Sequence, residues 1–178
     1  MWLAQQLHIK GNQNVHMSAG HGSMGYSLPA AIGAYYGLNK PVYCFNGDGG
    51  IQMNIQELQY LSREKLPVTV IVINNRALGM IRGFQEANFE QNYAQTIEGT
   101  GYSTPDFSKI AKAYDIPYIC IEKDSDFEKM QNVEEGPKFV EIVLPVNTIL
   151  KPNFGTNGFI QDQRPYIDRE LYDELMKL

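Results

Sequence analysis

The chain has 178 residues, 43% of them hydrophobic, enough for one domain that buries roughly two-thirds of the surface its unfolded form exposes. Sixteen Gly and nine Pro are spread among apolar runs rather than pooled, which excludes a low-complexity or collagen-like polymer. Fifteen basic against twenty acidic residues give a net charge of −5 without a Lys/Arg stripe, so nucleic acid is a poor partner, and no run of about 18 apolar residues offers a membrane span.

The first residues, MWLAQQLHIKGN, lack a basic start followed by an apolar core, which points to a cytoplasmic protein. VHMSA at 15–19 reads as a first strand and is followed by GHGSMG, Gly20 to Gly25, and then by a helix over 28–38. VYCF at 42–45 is the next strand; Cys44 there and Cys120 later sit in apolar runs where a thiol serves as a small buried hydrophobe in a reducing compartment. After Asn46-Gly47-Asp48-Gly49-Gly50, the spacing of Ile51, Ile55, Leu58 and Leu61 lays one apolar stripe on a helix from about 51 to 63. VTVIVI at 68–73 is a strand ending on Asn74-Asn75. Thr104 with Pro105 behind it predicts the cap of a helix whose inner face is Phe107, Ile110, Ala111 and Tyr114. YICIE at 118–122 and FVEIVL at 139–144 complete the strands. This alternation of helices with near-continuous apolar strands predicts an α/β class: a doubly wound, mainly parallel sheet with helices on both faces. Residues 1–146 form the domain. A loop over 147–164 and a short helix at 168–178 form a tail, 147–178, that packs on it.

Two readings of the glycine loops compete. GHGSMG matches G-x-G-x-x-G between strand and helix, with Asp48 some twenty residues on, as an NAD(P)-binding Rossmann domain requires. Asp48, however, is flanked by glycines on both sides, and stripping side chains from around one carboxylate lets backbone approach something bulky and charged. A turn is the plainest meaning of GDGG alone. Twenty-four residues then separate Gly49 from Asn74, room for one helix and one parallel strand. Asp48 and Asn75 would thus end neighbouring strands at the edge where open α/β sheets bind ligands. A Mg²⁺ ion, which takes few protein oxygens and fills its octahedron with phosphate and water, suits such a sparse donor set.

GDG, about 25 residues, then NN is the signature of thiamine diphosphate (ThDP) enzymes. SAGHGSMGYSLPAAIGA, GDGGIQMNIQEL, LPVTVIVINN and LGMIRGF resemble, in the same order, segments of acetolactate synthase large subunits. The resemblance implies that Asp48 and Asn75 hold Mg²⁺ with the backbone carbonyl of Ala77. The metal and the amides around Gly49 and Gly50 would grip the diphosphate, helped by the helix beginning near Ile51. Leu78, Gly79 and Met80 would line the same end of the cofactor, and Gly22 and Met24 would hold the aminopyrimidine, Met24 as the wedge that bends it. The alternative for Met24 is a core methionine under the helix of 28–38. The glutamate that activates the cofactor sits, in the family, in a separate N-terminal pyrimidine-binding domain across a dimer interface. No Glu here matches it, and Glu57 and Glu64 read as solvated or structural.

The chain departs from that family at three places. Phe84 stands where acetolactate synthases commonly carry a Trp that helps choose the acceptor, and His21 stands at a usually apolar position. His21 is either a hydrogen-bonded structural histidine or a substrate contact. RPYIDRE in the tail is more similar to ThDP-binding proteins of surface-sugar pathways. Met1-Trp2 matches an internal Met-Trp of full-length enzymes, so the expectation is the ThDP- and Mg²⁺-binding half of an enzyme acting on 2-keto acids by decarboxylation or carboligation. It would be a fragment or one subunit of a split, homo-oligomeric enzyme that needs an N-terminal partner; a non-catalytic ThDP-binding module is the alternative.

Overall fold

The computed structural model describes residues 2–18, 20–132, 135–146, 148 and 166–177. Short helix α1 (Trp2–Gln6) leads through an irregular stretch to α2 (Ser27–Leu38), then β1 (Val42–Gly47) and a helical turn α3 (Asp48–Ile51). A 3-10 turn (Gln52–Asn54) joins α3 to α4 (Glu57–Glu64), which precedes β2 (Val68–Asn74) and α5 (Gly79–Asn88). α6 (Phe107–Ala113), β3 (Tyr118–Ile121), a 3-10 segment (Asp124–Asn132), β4 (Lys138–Val143) and α7 (Arg169–Leu175) follow.

All four strands are parallel, in the order β1-β2-β4-β3. β2 is central, and Val68, Val70, Ile71 and Val72 are all buried, because a parallel strand covered on both sides hides its odd and even residues alike. One face carries the main core: Val68, Val70 and Val72 pack with Leu28 and Ala31 of α2, Leu58 and Leu61 of α4, and Phe107 and Ala111 of α6. The other face joins Ile71, Ile119, Ile121 and Val140 and is met by Met130 from the 3-10 segment. The sheet is therefore clad on both sides, by α-helices on one and a 3-10 segment on the other. Among the described residues no helix is long and apolar enough to cross a membrane.

Three local expectations change. Residues 15–18 form no strand, and Val15 and Met17 stay 38% and 56% exposed; two alternating apolar residues do not bury enough to hold a ladder. Ala19, the last residue of that run, lies outside the described residues. The helix expected over 51–63 begins at Asp48 and is broken by the 3-10 turn, from which Asn54 Nδ2 donates to the Gly25 carbonyl at 2.8 Å. The cap of α6 is Asp106 rather than Thr104: its carboxylate accepts the amides of Ser108 and Lys109 at 3.1 and 3.2 Å, as an N-cap must. The loop expected over 147–164 lies outside the described residues apart from Thr148, and the short helix of the tail is α7.

Candidate functional site

β1 and β2 run parallel in the register Gly47↔Ile73, so the chain leaves both strands at one edge, carrying Asp48 and Asn75. Asp48 is 3% exposed. One of its oxygens accepts the Gly49 amide at 2.8 Å, and the other accepts the Ala77 amide at 3.2 Å, tying the two loops together. Burial raises the carboxyl above its ordinary pKa, partly offset by the amides of Gly49, Ala77 and Arg76. A buried acid held half-compensated in this way is stabilised by an arriving cation.

The neighbouring groups converge on it. Asn75 is 3% exposed, and its side-chain nitrogen is buried without a hydrogen-bond partner. A Cβ added at Gly79 would come within 3.0 Å of that nitrogen, so a glycine is what lets α5 start against the Asn75 amide. A Cβ on Gly49 would lie 2.6 Å from Leu78 Cδ2 and 3.3 Å from Met24 Cε. Leu78, Met24 and Gly49 therefore touch. Met24 is itself 49% exposed, which disposes of a core methionine under α2.

The remaining sequence candidates are less tightly placed. Gly22 and Gly50 face open space, with nothing within 4 Å of an added Cβ, though Gly22 needs its glycine for a φ of +59°. Met80 lies on the first turn of α5, 47% exposed. His21 is exposed, and Phe84, 55% exposed, packs its ring against Phe89 at 5.9 Å between centroids. An open, mostly apolar cavity of about 610 Å³, lined by His16, Tyr26, Pro29, Ala30 and Ala34, lies against α2 and shares no residue with the carboxylate site.

Several residues were invisible to spacing and motif. Segment 94–102 folds back so that Ala77 bridges Ile97, and the Leu78 amide donates to the Thr96 carbonyl at 2.9 Å. That return brings the Tyr102 hydroxyl, buried and without a well-formed hydrogen bond, beside Asp48; burial, then the carboxylate's charge, raises the phenol's pKa. Asn54 clamps the first glycine loop through Gly25. Behind the Asn pair, Asn74 donates to Glu141, which also accepts from Tyr118.

The residues fit a diphosphate held by a metal: one buried acid, an amide without a partner, and backbone laid bare by glycine. Among the described residues no group of three or more His, Cys, Asp or Glu could hold a metal, so protein ligands alone do not make a closed cage. That sparseness is what Mg²⁺ bound together with phosphate requires. The dinucleotide reading loses its footing here, since the glycine loop is not preceded by a strand among the described residues and Asp48 opens a helical turn rather than closing a strand.

Residues 1–142 match the family described as thiamine pyrophosphate enzyme, C-terminal TPP binding domain; thiamine pyrophosphate is ThDP by another name. The chain is 40% identical over 145 residues to the acetolactate synthase large subunit of Porphyra purpurea, covering 81% of this chain and 24% of that protein. It is 36% identical over 172 residues to the chloroplastic acetolactate synthase 2 of Zea mays, covering 91% and 27%. Among solved structures, the ThDP-dependent 4-hydroxybenzoylformate decarboxylase of Rhodococcus jostii RHA1 superposes with a TM-score of 0.61 at 26% identity, over 71% of this chain and 24% of that one. The chain thus spans about a quarter of the length of the relatives it matches.

Proposed function

Because the chain belongs to the family of C-terminal TPP-binding domains of thiamine pyrophosphate enzymes, we propose that it holds the diphosphate of ThDP through one Mg²⁺ ion at the edge shared by β1 and β2. Asp48 and Asn75 supply side-chain oxygens and Ala77 a backbone carbonyl. The amides around Gly49 and Gly50 donate to the diphosphate, and Leu78, Gly79 and Met80 close that end of the cleft. Gly22 and Met24 hold the aminopyrimidine, with the exposed Met24 thioether as the apolar surface on which the cofactor bends. The observation that carries this reading is the Asp48 carboxylate, buried and bonded to backbone from both loops at the strand edge that also carries Asn75, a buried side chain whose nitrogen has no partner.

Bound ThDP supplies an electron sink for decarboxylation and carbon–carbon bond formation; the protein binds, orients and shields it. The kinship with acetolactate synthases supports a 2-keto acid as the substrate class, with carboligation or decarboxylation as the reaction. Phe84 and His21, both exposed, are the residues at which the substrate would be selected. The working enzyme would be a cytoplasmic homo-oligomer in which an N-terminal pyrimidine-binding domain or subunit supplies the activating glutamate.

The test is Asp48→Ala in the complete enzyme, titrated with ThDP at saturating Mg²⁺ by calorimetry. Loss of Mg²⁺-dependent binding is expected, since that carboxylate is the one formal protein charge on the metal, and Asn75→Ala should weaken binding less. Wild-type affinity in Asp48→Ala would sink the assignment.

A further inference from the structure

The two asparagines that end β2 are treated oppositely by the fold. The Asn75 side-chain nitrogen has no partner, whereas Asn74 is fully engaged: its Nδ2 donates to Glu141 Oε1 at 2.6 Å and its Oδ1 accepts the Arg76 amide at 2.9 Å. The second oxygen of Glu141 accepts the Tyr118 hydroxyl. Asn74 and Glu141 are 5% and 8% exposed, and they come from β2 and β4, 67 residues apart in sequence.

Packing alone does not account for an acid here. Glu141 follows Phe139 and Val140, both wholly buried, and a hydrophobic residue in place of a buried charged group is often as stable or more so. What the position does require is an acceptor for two donors at once, the Asn74 amide and the Tyr118 phenol. A carboxylate meets that need with one oxygen each. The orientation it imposes on Asn74 has a consequence one residue past Asn75. Arg76 sits at φ +52°, a left-handed conformation disfavoured for a residue with a Cβ, and its amide is held there by Asn74 Oδ1. That left-handed step turns the chain so that the following amide, of Ala77, meets Asp48.

We propose that Glu141 is a positioning residue for the cofactor site: the relay from Tyr118 through Glu141 and Asn74 to the Arg76 amide sets the turn that presents Asn75 and the Ala77 backbone to the divalent cation. The relay reaches no cofactor atom itself, and it rests on the metal reading of Asp48 and Asn75 given above.

The experiment reverses the polarity of one link. The complete enzyme is prepared as wild type, Glu141→Gln, Asn74→Asp and the double variant. Each is measured for Mn²⁺ affinity in the presence of ThDP, by electron paramagnetic resonance, and for hydrogen exchange of the Arg76 amide without any cofactor. Glu141→Gln sets an amide donor against one of two donors, and Asn74→Asp sets two carboxylates together, so each should weaken Mn²⁺ about 10- to 100-fold, as loss of groups that orient a metal's ligands typically does, and speed exchange at Arg76. In the double variant the introduced glutamine amide donates to the introduced carboxylate, its oxygen still accepts from Tyr118, and the Arg76 amide keeps its acceptor. Both readouts should return to within about threefold of wild type, the signature of direct coupling, which a merely weakened fold would not produce. Unchanged Mn²⁺ affinity and unchanged Arg76 exchange in Glu141→Gln, or a double variant no better than the singles, would overturn the relay. Should wild type bind no Mn²⁺ with ThDP, the metal reading falls and this role of Glu141 with it, while exchange at Arg76 separately decides whether the relay holds the turn. If Asn74→Asp does not fold, Glu141→Gln alone decides by the same two readouts.

Discussion

At the scale of single residues, the glycines around the site do different jobs that substitution can separate. Gly25 has φ +82°, and a Cβ there would stand 2.7 Å from Met53 Cβ and 2.8 Å from Asn54 Nδ2. Neither atom is the loose end of a long chain, so backbone must move. Gly25→Ala is expected to cost about 2–4 kcal/mol, from the left-handed backbone and the overpacking together, and to lower Tm by about 5–15 °C in a scanning-calorimetry trace. Gly50 lies in helical backbone with nothing within 4 Å of an added Cβ. Gly50→Ala should therefore hold or raise the Tm of the cofactor-free chain, by up to about 1 kcal/mol of helix propensity, yet weaken ThDP because the methyl occupies the approach to the diphosphate. A variant that loses neither stability nor ThDP affinity would move the diphosphate away from Gly50. Cys44 illustrates the opposite economy, a polar atom hidden in the core: burial pushes its thiol up to about 12, so it stays neutral and unreactive in the folded protein.

Among the elements, those legible in the sequence were the ones whose signal is local. VYCF, VTVIVI, YICI and FVEIV are apolar runs too short for helices, and each is a strand within a residue or two of its expected ends. The unit from Asp48 to Asn75 was legible in outline because the interval leaves room for a helical stretch and one strand, although the helix is broken at Gln52–Asn54. Tyr102 and Glu141 were not, since what makes them matter is a partner 54 or 67 residues away that no periodicity announces. The cap of α6 lies two residues beyond Thr104 because Thr104 and Asp106 both satisfy the compositional rule, and only geometry shows which oxygen reaches the free amides. That cap has a pH signature. Its bond to Ser108, then those to Lys109, holds the Asp106 carboxyl down at about 2 instead of its usual 3.8. A carboxyl depressed by folding contributes stability that is complete above pH 3.8 and is lost as the pH falls through about 2. Asp106 is exposed, so the effect is small and screened by salt. The Tm advantage of wild type over Asp106→Asn should be constant from pH 7 to 4 and shrink between 4 and 2; an advantage that persists undiminished at pH 2 would place its origin elsewhere.

For the whole molecule, the arrangement of apolar surface matters more than the sheet itself. Clusters of buried side chains lie on either side of the strands, and the local patterns agree with the architecture, as a folded domain needs. The edge that carries the site is another matter. Met24 beside Gly49, Met80, Ile81 and Phe84 on α5, and Phe89 against Phe84 are each between 47% and 56% exposed, large apolar groups of the kind that mark a contact surface. The polar half of the proposed cofactor grip is supplied here by Asp48, Asn75 and bare backbone. On the reading proposed above the activating glutamate comes from the partner domain; Glu64, on α4, is engaged with Arg63 at 2.7 Å. The purified 178-residue chain is accordingly expected to fold, to sediment as a dimer or larger species through the exposed edge, and to show no ThDP-dependent turnover of pyruvate. Addition of a separately expressed pyrimidine-binding partner should restore turnover and protect the apolar edge from solvent, read as lost binding of a hydrophobic dye. Steady turnover by the chain alone, with ThDP and Mg²⁺ present, would show that the activating group lies within these residues after all, and the division of labour between two halves would have to be abandoned.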